Sequence, residues 1–441
     1  MPPDTASPQS SRAWVIGAGL AGLSAAVRLA VLGWSVTVFE AAGRPGGRCR
    51  SFHDSALDRR IDNGNHLLLS GNRSAMALLR TVGAPDPLVE VSPARLSFVD
   101  LGSGERWTLR PNRGPLPWWV CAPGRRVPDT RLADYAAAFG LRRAGNRTVA
   151  DLFDGPPGSA RRRLYERFWE PMAVAVLNTE AAAGAARLLW PVMAEILLRG
   201  ETAFRPCIAR TGLSESFADP AVKWLEARGG RFRPGVRVRA AFFDGAAVSA
   251  LAAGGETIAV APGEPVVSAV PPSACAGLFP DIVTPNEYRP IVNVHYVVGS
   301  GISLPGGLPL LGLTGGTAQW LFLRGDVLSV TVSAGIAEAE LPHDRLAGTV
   351  WGEICRATGV AGPVPPCRVI TEKRATIAQT PAQDRLRPGP RTRWRNLYLA
   401  GDWTDTGLPA TIEGAIRSGE TAAQAIGRAP LDTARRRAYS G

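Results

Sequence analysis

The chain has 441 residues, too many for one simple core, so length alone points to two domains or three. With 45% hydrophobic and 20% charged residues it reads as an ordinary globular protein rather than a disordered one, and it has no uninterrupted apolar run of about 18 residues for a transmembrane helix. Of 50 basic residues behind the net charge of +12 only Lys223 and Lys373 are lysine, which leaves 48 arginines. With abundant Ala, Gly and Pro this bias reads as coding composition rather than a nucleic-acid surface, and contact of a basic face with anionic lipid is the alternative.

The start, MPPDTASPQSSRAW, lacks a basic stretch followed by an apolar core, so no signal peptide is read. A cytoplasmic location, peripheral on the inner face of a membrane, is expected. The six cysteines form no CxxC pair and sit in no Cys/His cluster, and there are four histidines, so reduced thiols and no metal site are expected.

The first strong signal is AWVIGAGLAGLSAAVRLAVLGWSVTVFEA. Ala13 to Ile16 reads as a buried parallel strand, Gly17, Gly19 and Gly22 as the turn, Leu23 to Leu32 as a helix, and Ser35 to Phe39 as a second strand ending at Glu40. The first glycine makes the turn, the second admits a pyrophosphate, and the third lets helix and strand pack closely. The helix N-terminus would offer N–H groups to the phosphates. Glu40, 18 residues after Gly22, is placed for an adenosine ribose.

AAGRPGGRCRS follows, with Arg44, Gly46, Gly47 and Arg48. Gly46 and Gly47 permit close backbone approach and Arg48 can offset phosphate charge, which a plain nicotinamide dehydrogenase does not need. This acid followed by R-x-G-G-R resembles the large flavoprotein family that includes amine oxidases and phytoene-type desaturases. The resemblance implies non-covalent FAD, with the second loop forming another cradle over its pyrophosphate. It also implies an α/β fold: a Rossmann-like FAD-binding domain of the GR2 type with a discontinuous α+β substrate-binding domain.

Next comes RRIDNGNHLLLSG, in which Asp62, Asn63, Gly64, Asn65 and His66 run into Leu67, Leu68 and Leu69. The leucines read as a rigid apolar strand that presents a small polar head. In phytoene-type desaturases the counterpart is a strand with a G-x-H element beside the flavin. The wording DNGNHLLLSGN, with TEKRATIAQTPAQD at Thr371 to Asp384, resembles the squalene-associated branch, which implies hydroxysqualene as substrate. Removing an allylic hydroxyl needs a proton for the oxygen and a hydride for the carbon, and an apolar site raises a carboxyl pKa. Asp62 and His66 are therefore the candidate acids, with Asn63 and Asn65 orienting the hydroxyl or the flavin edge. The alternative is that Asp62 and the asparagines only satisfy buried backbone groups.

Further on, Trp107, Trp118, Trp119, Phe168, Trp169, Trp190, Phe204, Trp320 and Phe322 supply core and substrate contacts. YERFWEPMAVAVLNTE spaces Phe168, Met172 and Val176 helically and resembles the W-x-P-x5-L-N helix of the same desaturases. An apolar channel over the flavin would suit a long isoprenoid.

LEARGGRFRPGVRVRAAFF reads as a helix end and strands around Phe232 and Val236 to Arg239, and PVVSAVPPSACAGLF as a strand ending at the Val270-Pro271-Pro272 bend. The resemblance places the Val238 backbone against adenine. Near the end, NLYLAGDWTDTGLPATIEGAIRSGETAAQAI reads as a strand Leu397 to Ala400, a loop opening on Gly401-Asp402, and a helix from Thr411 through Ile412, Gly414 and Ala415. By resemblance Asp402 meets the ribityl hydroxyls and the helix N-terminus meets the flavin O2 edge, where a positive dipole end favours reduction.

An FAD-binding domain of residues 1–90, 221–285 and 390–430, a substrate domain of 91–220 and 286–389, and a tail of 431–441 are expected. No second GxGxxG in strand-helix context offers a nicotinamide site, so an external electron donor of unknown identity is expected. The rivals are an oxidative polyene desaturase, an amine oxidase with Lys373 holding water at the flavin, and a non-catalytic FAD-bound scaffold.

Overall fold

The computed structural model describes residues 12–299 and 301–427; the tail 431–441 lies outside them. A five-stranded parallel sheet runs in the order Arg231–Arg233, Ser35–Phe39, Arg12–Ile16, Val266–Ser268, Leu397–Leu399. Its central strand, RAWVI, is buried after Arg12, as expected of a parallel strand covered on both faces. Three stretches remote in the chain thus meet in one sheet.

The helix Leu20–Val31 begins three residues earlier than the sequence suggests, because Gly19 already occupies its N-cap. It packs against the helix Ile412–Gly427 through small residues. A methyl group on Gly419 would lie 2.2 Å from the Ala21 carbonyl oxygen, so the backbones touch there. Among the described residues no helix is long and apolar enough to cross a membrane.

A seven-stranded sheet runs Cys367–Ile377, Tyr288–Val297, Val327–Ser333, Trp320–Arg324, Leu310–Thr314, Leu96–Asp100, Arg106–Leu109. Strand alternation divides its faces. On one, Val292, Val294, Tyr296, Leu321, Val330 and Val332 pack against the helix His343–Thr358. On the other, the register aligns one row: Asn293 opposite Thr331, Thr331 opposite Trp320, Trp320 opposite Gly312, Gly312 opposite Phe98, Phe98 opposite Trp107. The row therefore grades from amide and hydroxyl to aromatic carbon. Gly312 is needed in it, since a methyl group there would meet the Phe98 ring at 2.4 Å. Phe98 stacks on Trp107 at 5.4 Å and meets the edge of Trp320 at 5.5 Å.

Smaller sheets complete the architecture. Ser51–Asp54 and Arg59–Asp62 form an antiparallel hairpin, and Leu68–Leu69 pairs with Pro206–Ala209. The polar string therefore bridges two short strands. Leu67 lies in neither, so the expected apolar stem is a two-residue strand, and the Arg59–Asp62 strand supplies the rigid support instead.

Candidate active site

The glycine turn is built as a cradle. Gly17 has φ +103, and a methyl group on Gly22 would fall 1.9 Å from the Gly17 carbonyl oxygen. Both positions are closed to any side chain. Gly19 differs, because nothing lies within 4 Å of where its Cβ would be. Open space over that glycine, at the N-terminus of a twelve-residue helix, suits a pyrophosphate. Gly46 donates its N–H to Ala18 O at 2.8 Å, and the Cβ position of Gly47 lies 3.3 Å from Gly19 Cα, so the second glycine loop is laid over the first. Arg44 stands exposed in that loop.

Glu40 accepts from the Ala18 N–H at 2.7 Å through Oε2 and from the Ala42 N–H at 2.8 Å through Oε1. Each oxygen keeps lone pairs for a ribose hydroxyl. Val238 is buried at the head of the strand Val238–Asp244, beside a register shift. The expected strand Val236 to Arg239 thus begins two residues later.

Arg48 closes the assembly, donating from Nη2 to Asp402 Oδ1 at 2.7 Å and from Nη1 to the Ala375 carbonyl. One guanidinium joins the glycine loop, the Gly401-Asp402 turn and the TEKRAT strand. Gly401 has φ +152, and its N–H donates to Ser418 Oγ at 2.8 Å. The C-terminal strand stops at Leu399, and the last helix begins at Ile412, because Thr411 is its cap: Thr411 Oγ1 accepts from the Gly414 N–H at 3.1 Å and Thr411 O from the Ala415 N–H at 2.8 Å. The first-turn N–H groups of Ile412 and Glu413 remain for a ligand.

The polar string divides its labour. Asp62 is buried, and both its oxygens face donors: Oδ1 takes Ser51 Oγ at 2.5 Å and Leu213 N–H at 3.1 Å, and Oδ2 takes Arg324 Nη1 at 2.6 Å. That donor set suits a carboxylate anchor better than the expected acid. Asn63 donates its N–H to Arg50 O at 2.9 Å and accepts from Arg50 Nη2, a structural role rather than the expected orienting one. Asn65 reaches across to the seven-stranded sheet, donating from Nδ2 to Thr331 Oγ1 at 3.1 Å and to Asn293 Oδ1 at 3.3 Å.

His66, partly buried, has no hydrogen-bond partner among the described residues, and burial pushes its pKa down to about 4 against the partial counter-pull of Asp62. His295, fully buried with Nδ1 2.7 Å from Ser329 Oγ, is likewise pushed down to about 4 by burial. Both imidazoles are neutral at neutral pH, so neither stands ready as a charged acid.

Among the described residues Asn293 Nδ2 is buried without a hydrogen-bond partner, and His295 lies on the same strand with its ring near the Asp62 backbone. Two residues apart on one strand, they share the face that meets Asn65, and Gly64 leaves only 3.3 Å between its Cβ position and Asn293 Nδ2. A buried donor left open in this way is available to a bound molecule. Asn293, His295, Thr331 and Arg324 were not singled out from the sequence. The signal available was VNVHYV, in which two polar residues interrupt one face of an otherwise apolar strand.

The aromatic expectations separate by burial. Trp107, Trp119, Phe168, Trp169, Phe204, Trp320 and Phe322 are buried in one apolar cluster with Trp190 packed against it, whereas Trp118 is exposed. Tyr165–Trp169 is a π-helical turn leading into the helix Glu170–Leu177. Asn178 caps it in the left-handed region, φ +46, donating to Arg289 O and Thr376 Oγ1 and accepting from the Ala334 N–H. Buried Gln379 donates to Leu177 O at 2.6 Å and accepts from the Ala410 N–H at 2.7 Å, latching this helix to the turn before Ile412. Lys373 is exposed and 3.3 Å from Glu340, which disagrees with a lysine holding water at a flavin.

The open cradle over Gly19, the Arg48–Asp402 clasp and the capped helix fit FAD. Comparison with known proteins agrees. Residues 20–427 match the family described as flavin containing amine oxidoreductase. The hydroxysqualene dehydroxylase of Rhodopseudomonas palustris is 46% identical over 417 residues, covering 93% of this chain and 97% of that protein. The hydroxysqualene dehydroxylase of Sinorhizobium fredii is 44% identical over 409 residues, covering 93% and 96%. Among solved structures, an oxidoreductase from Methanosarcina mazei shares the fold with a TM-score of 0.70 at 14% identity, over 94% of this chain and 100% of that one.

Proposed function

We propose that this chain, which belongs to the flavin-containing amine oxidoreductases and is an FAD-dependent oxidoreductase, replaces the allylic hydroxyl of hydroxysqualene by hydrogen. The observation that carries this reading is the row running from Asn293 and Thr331 to Phe98 and Trp107. In that row Asn293 Nδ2 is buried without a hydrogen-bond partner among the described residues where an aromatic wall begins, which suits an alcohol on a long hydrocarbon.

Bound FAD, reduced by an external two-electron donor, supplies the hydride. Gly17, Gly19, Gly22, Gly46, Gly47 and Arg48 hold its pyrophosphate, Glu40 a ribose, Val238 the adenine, Asp402 the ribityl chain, and the turn from Thr411 to Ala415 the flavin edge. FAD is held without a covalent bond. The flavin-binding unit comprises residues 1–90, 221–285 and 390–430, with 91–220 and 286–389 forming the substrate unit.

Asn293 Nδ2 donates to the substrate hydroxyl, and Asn65 holds Asn293 in place. His66 delivers the proton as an imidazolium, a minority species at neutral pH but a strong acid. The C–O bond breaks, water leaves with that proton, and the allylic carbon accepts the hydride. Asp62 anchors the string through Arg324.

The test is anaerobic mixing of the chemically reduced protein with hydroxysqualene. Flavin reoxidation with stoichiometric squalene supports the reading, and reoxidation by neither hydroxysqualene nor another allylic alcohol ends it. The rate should rise about tenfold per pH unit as pH falls from 7 toward 5, because the imidazolium fraction does. A flat profile removes His66 from the role. The nearly insoluble substrate also favours a peripheral position on a membrane.

A further inference from the structure

The charge of the chain is unevenly placed. Between Arg106 and Arg147 lie nine arginines and two acidic residues, Asp129 and Asp134, so 9 − 2 = +7 of the total +12 falls on this short stretch. After the strand Arg106–Leu109 it folds as a set of short helices, Trp118–Cys121, Pro123–Arg125, Leu132–Tyr135 and Ala136–Arg143, packed on one another. Trp119 and Leu141 are buried in the aromatic cluster, and Trp119 meets the edge of Tyr135 at 6.2 Å. That cluster is the one that contains Phe98, Trp107 and Trp320.

The outward residues are unusual. Leu116 is 76% exposed, Trp118 52%, Leu132 49% and Phe139 65%, four large apolar side chains in one short stretch. Arg125 lies 4.8 Å over the Trp118 ring. Beside it opens a cleft of about 370 Å³ lined by Arg95, Arg110, Arg113 and Arg125. Among the described residues its lining holds one carboxylate, Glu201, paired with Arg205 at 2.8 Å, and Arg95 Nε is buried without a hydrogen-bond partner. Exposed Trp118 over Arg125 of this arginine cleft, with exposed Leu116, Leu132 and Phe139 in the same stretch of chain, matches an interface of acyl chain and anionic headgroup.

We propose that this surface docks on an anionic lipid bilayer. Leu116, Trp118, Leu132 and Phe139 enter the headgroup boundary, and the arginine cleft takes a lipid phosphodiester. The reaction proposed above gives docking its purpose, because the aromatic cluster behind Trp119 then faces the phase that holds the substrate. The surface itself rests on exposure and charge alone.

The test is sedimentation of the FAD-loaded full chain with vesicles of phosphatidylcholine alone and of phosphatidylcholine and phosphatidylglycerol, two parts to one. Binding should strongly favour the anionic vesicles and weaken with salt. Arg110→Gln with Arg113→Gln should lower it about fivefold per charge removed. Leu116→Glu with Phe139→Glu should lower it at least as much, while flavin content and turnover of detergent-dispersed substrate stay as in the wild type. Equal binding to both vesicle types, no binding to either, or wild-type binding by both double variants overturns the proposal. Sedimentation requires no turnover, so a protein that docks yet leaves hydroxysqualene untouched sinks only the reaction.

Discussion

Asp62→Asn separates an anchor from an acid. The Asp62 side chain is 5% exposed and its partner Arg324 24%, so the pair is largely desolvated. The amide keeps one acceptor and turns an NH2 group toward donors, whichever way it faces: Arg324 on one side, Ser51 and Leu213 on the other. Breaking a buried pair costs about 3–5 kcal/mol, and residual hydration of Arg324 argues for the lower end, about 3 kcal/mol. An unfolding entropy of about 2.1 cal/mol/K per residue over the 441-residue chain gives roughly 0.9 kcal/mol/K. The expected fall in Tm is therefore about 3 °C, readable by thermal unfolding. Flavin reoxidation, measured well below Tm by stopped flow under anaerobic conditions, should change less than about tenfold. A general acid removed at this position would instead cost about 10²–10⁴ in rate. An unchanged Tm with a hundredfold slower reoxidation would refute the anchor.

Gly19→Ala should leave the stability of the flavin-free protein unaltered, because the added methyl meets no protein atom, yet weaken FAD binding by about tenfold or more through overpacking against the pyrophosphate; equilibrium flavin fluorescence titration reads this, and unchanged affinity would place the pyrophosphate elsewhere. His295 has a folded pKa of about 4, below the ordinary value of 6.5. Its contribution to stability is therefore complete above about pH 6.5 and is lost as pH falls toward 4, at up to about 1.4 kcal/mol per unit. Denaturant titrations of His295→Gln should show a shallower acid slope than wild type in that window, and parallel slopes would contradict the burial. Gln379→Leu strands the Ala410 N–H, at about 1–3 kcal/mol, and leaves Leu177 O with Thr179 Oγ1 as its remaining side-chain donor. Lower Tm and reduced flavin retention on gel filtration should appear together.

Local features were legible and distant ones were not. The glycine turn, the strand beside it and Glu40 lie within one continuous stretch, where the spacing of residues is itself the geometry. Helix starts slipped by one to three residues, because Gly19 and Thr411 act as caps and a cap carries helical hydrogen bonds without helical backbone. The anchoring contacts of Asp62 were hidden for a different reason. Its partner Arg324 lies 262 residues away, so nothing near Asp62 announces a counter-charge. Without that partner a carboxylate beside three leucines looks desolvated and acidic. Asn65 was legible as a polar contact, but its target, Asn293, emerges only once strand register aligns Asn293 with Thr331. The graded row exists only in the cross-strand direction, which a linear sequence does not display.

The parallel sheet carries a consequence for biogenesis. Its strand Ser35–Phe39 leaves the ribosome 397 − 39 = 358 residues before the edge strand Leu397–Leu399 is made. At about 5–20 residues per second the nascent first half waits roughly 18 to 72 s for its last strand and for the helix that covers Ala21. Over the last 397 − 268 = 129 residues, roughly 6 to 26 s, Val266–Ser268 is an unprotected edge, and the Ala21 surface that Gly419 later covers is bare throughout, both invitations to off-pathway association. The clasp of Arg48 on Asp402 likewise waits for residue 402, so the two glycine loops stay unclasped until the chain is nearly complete.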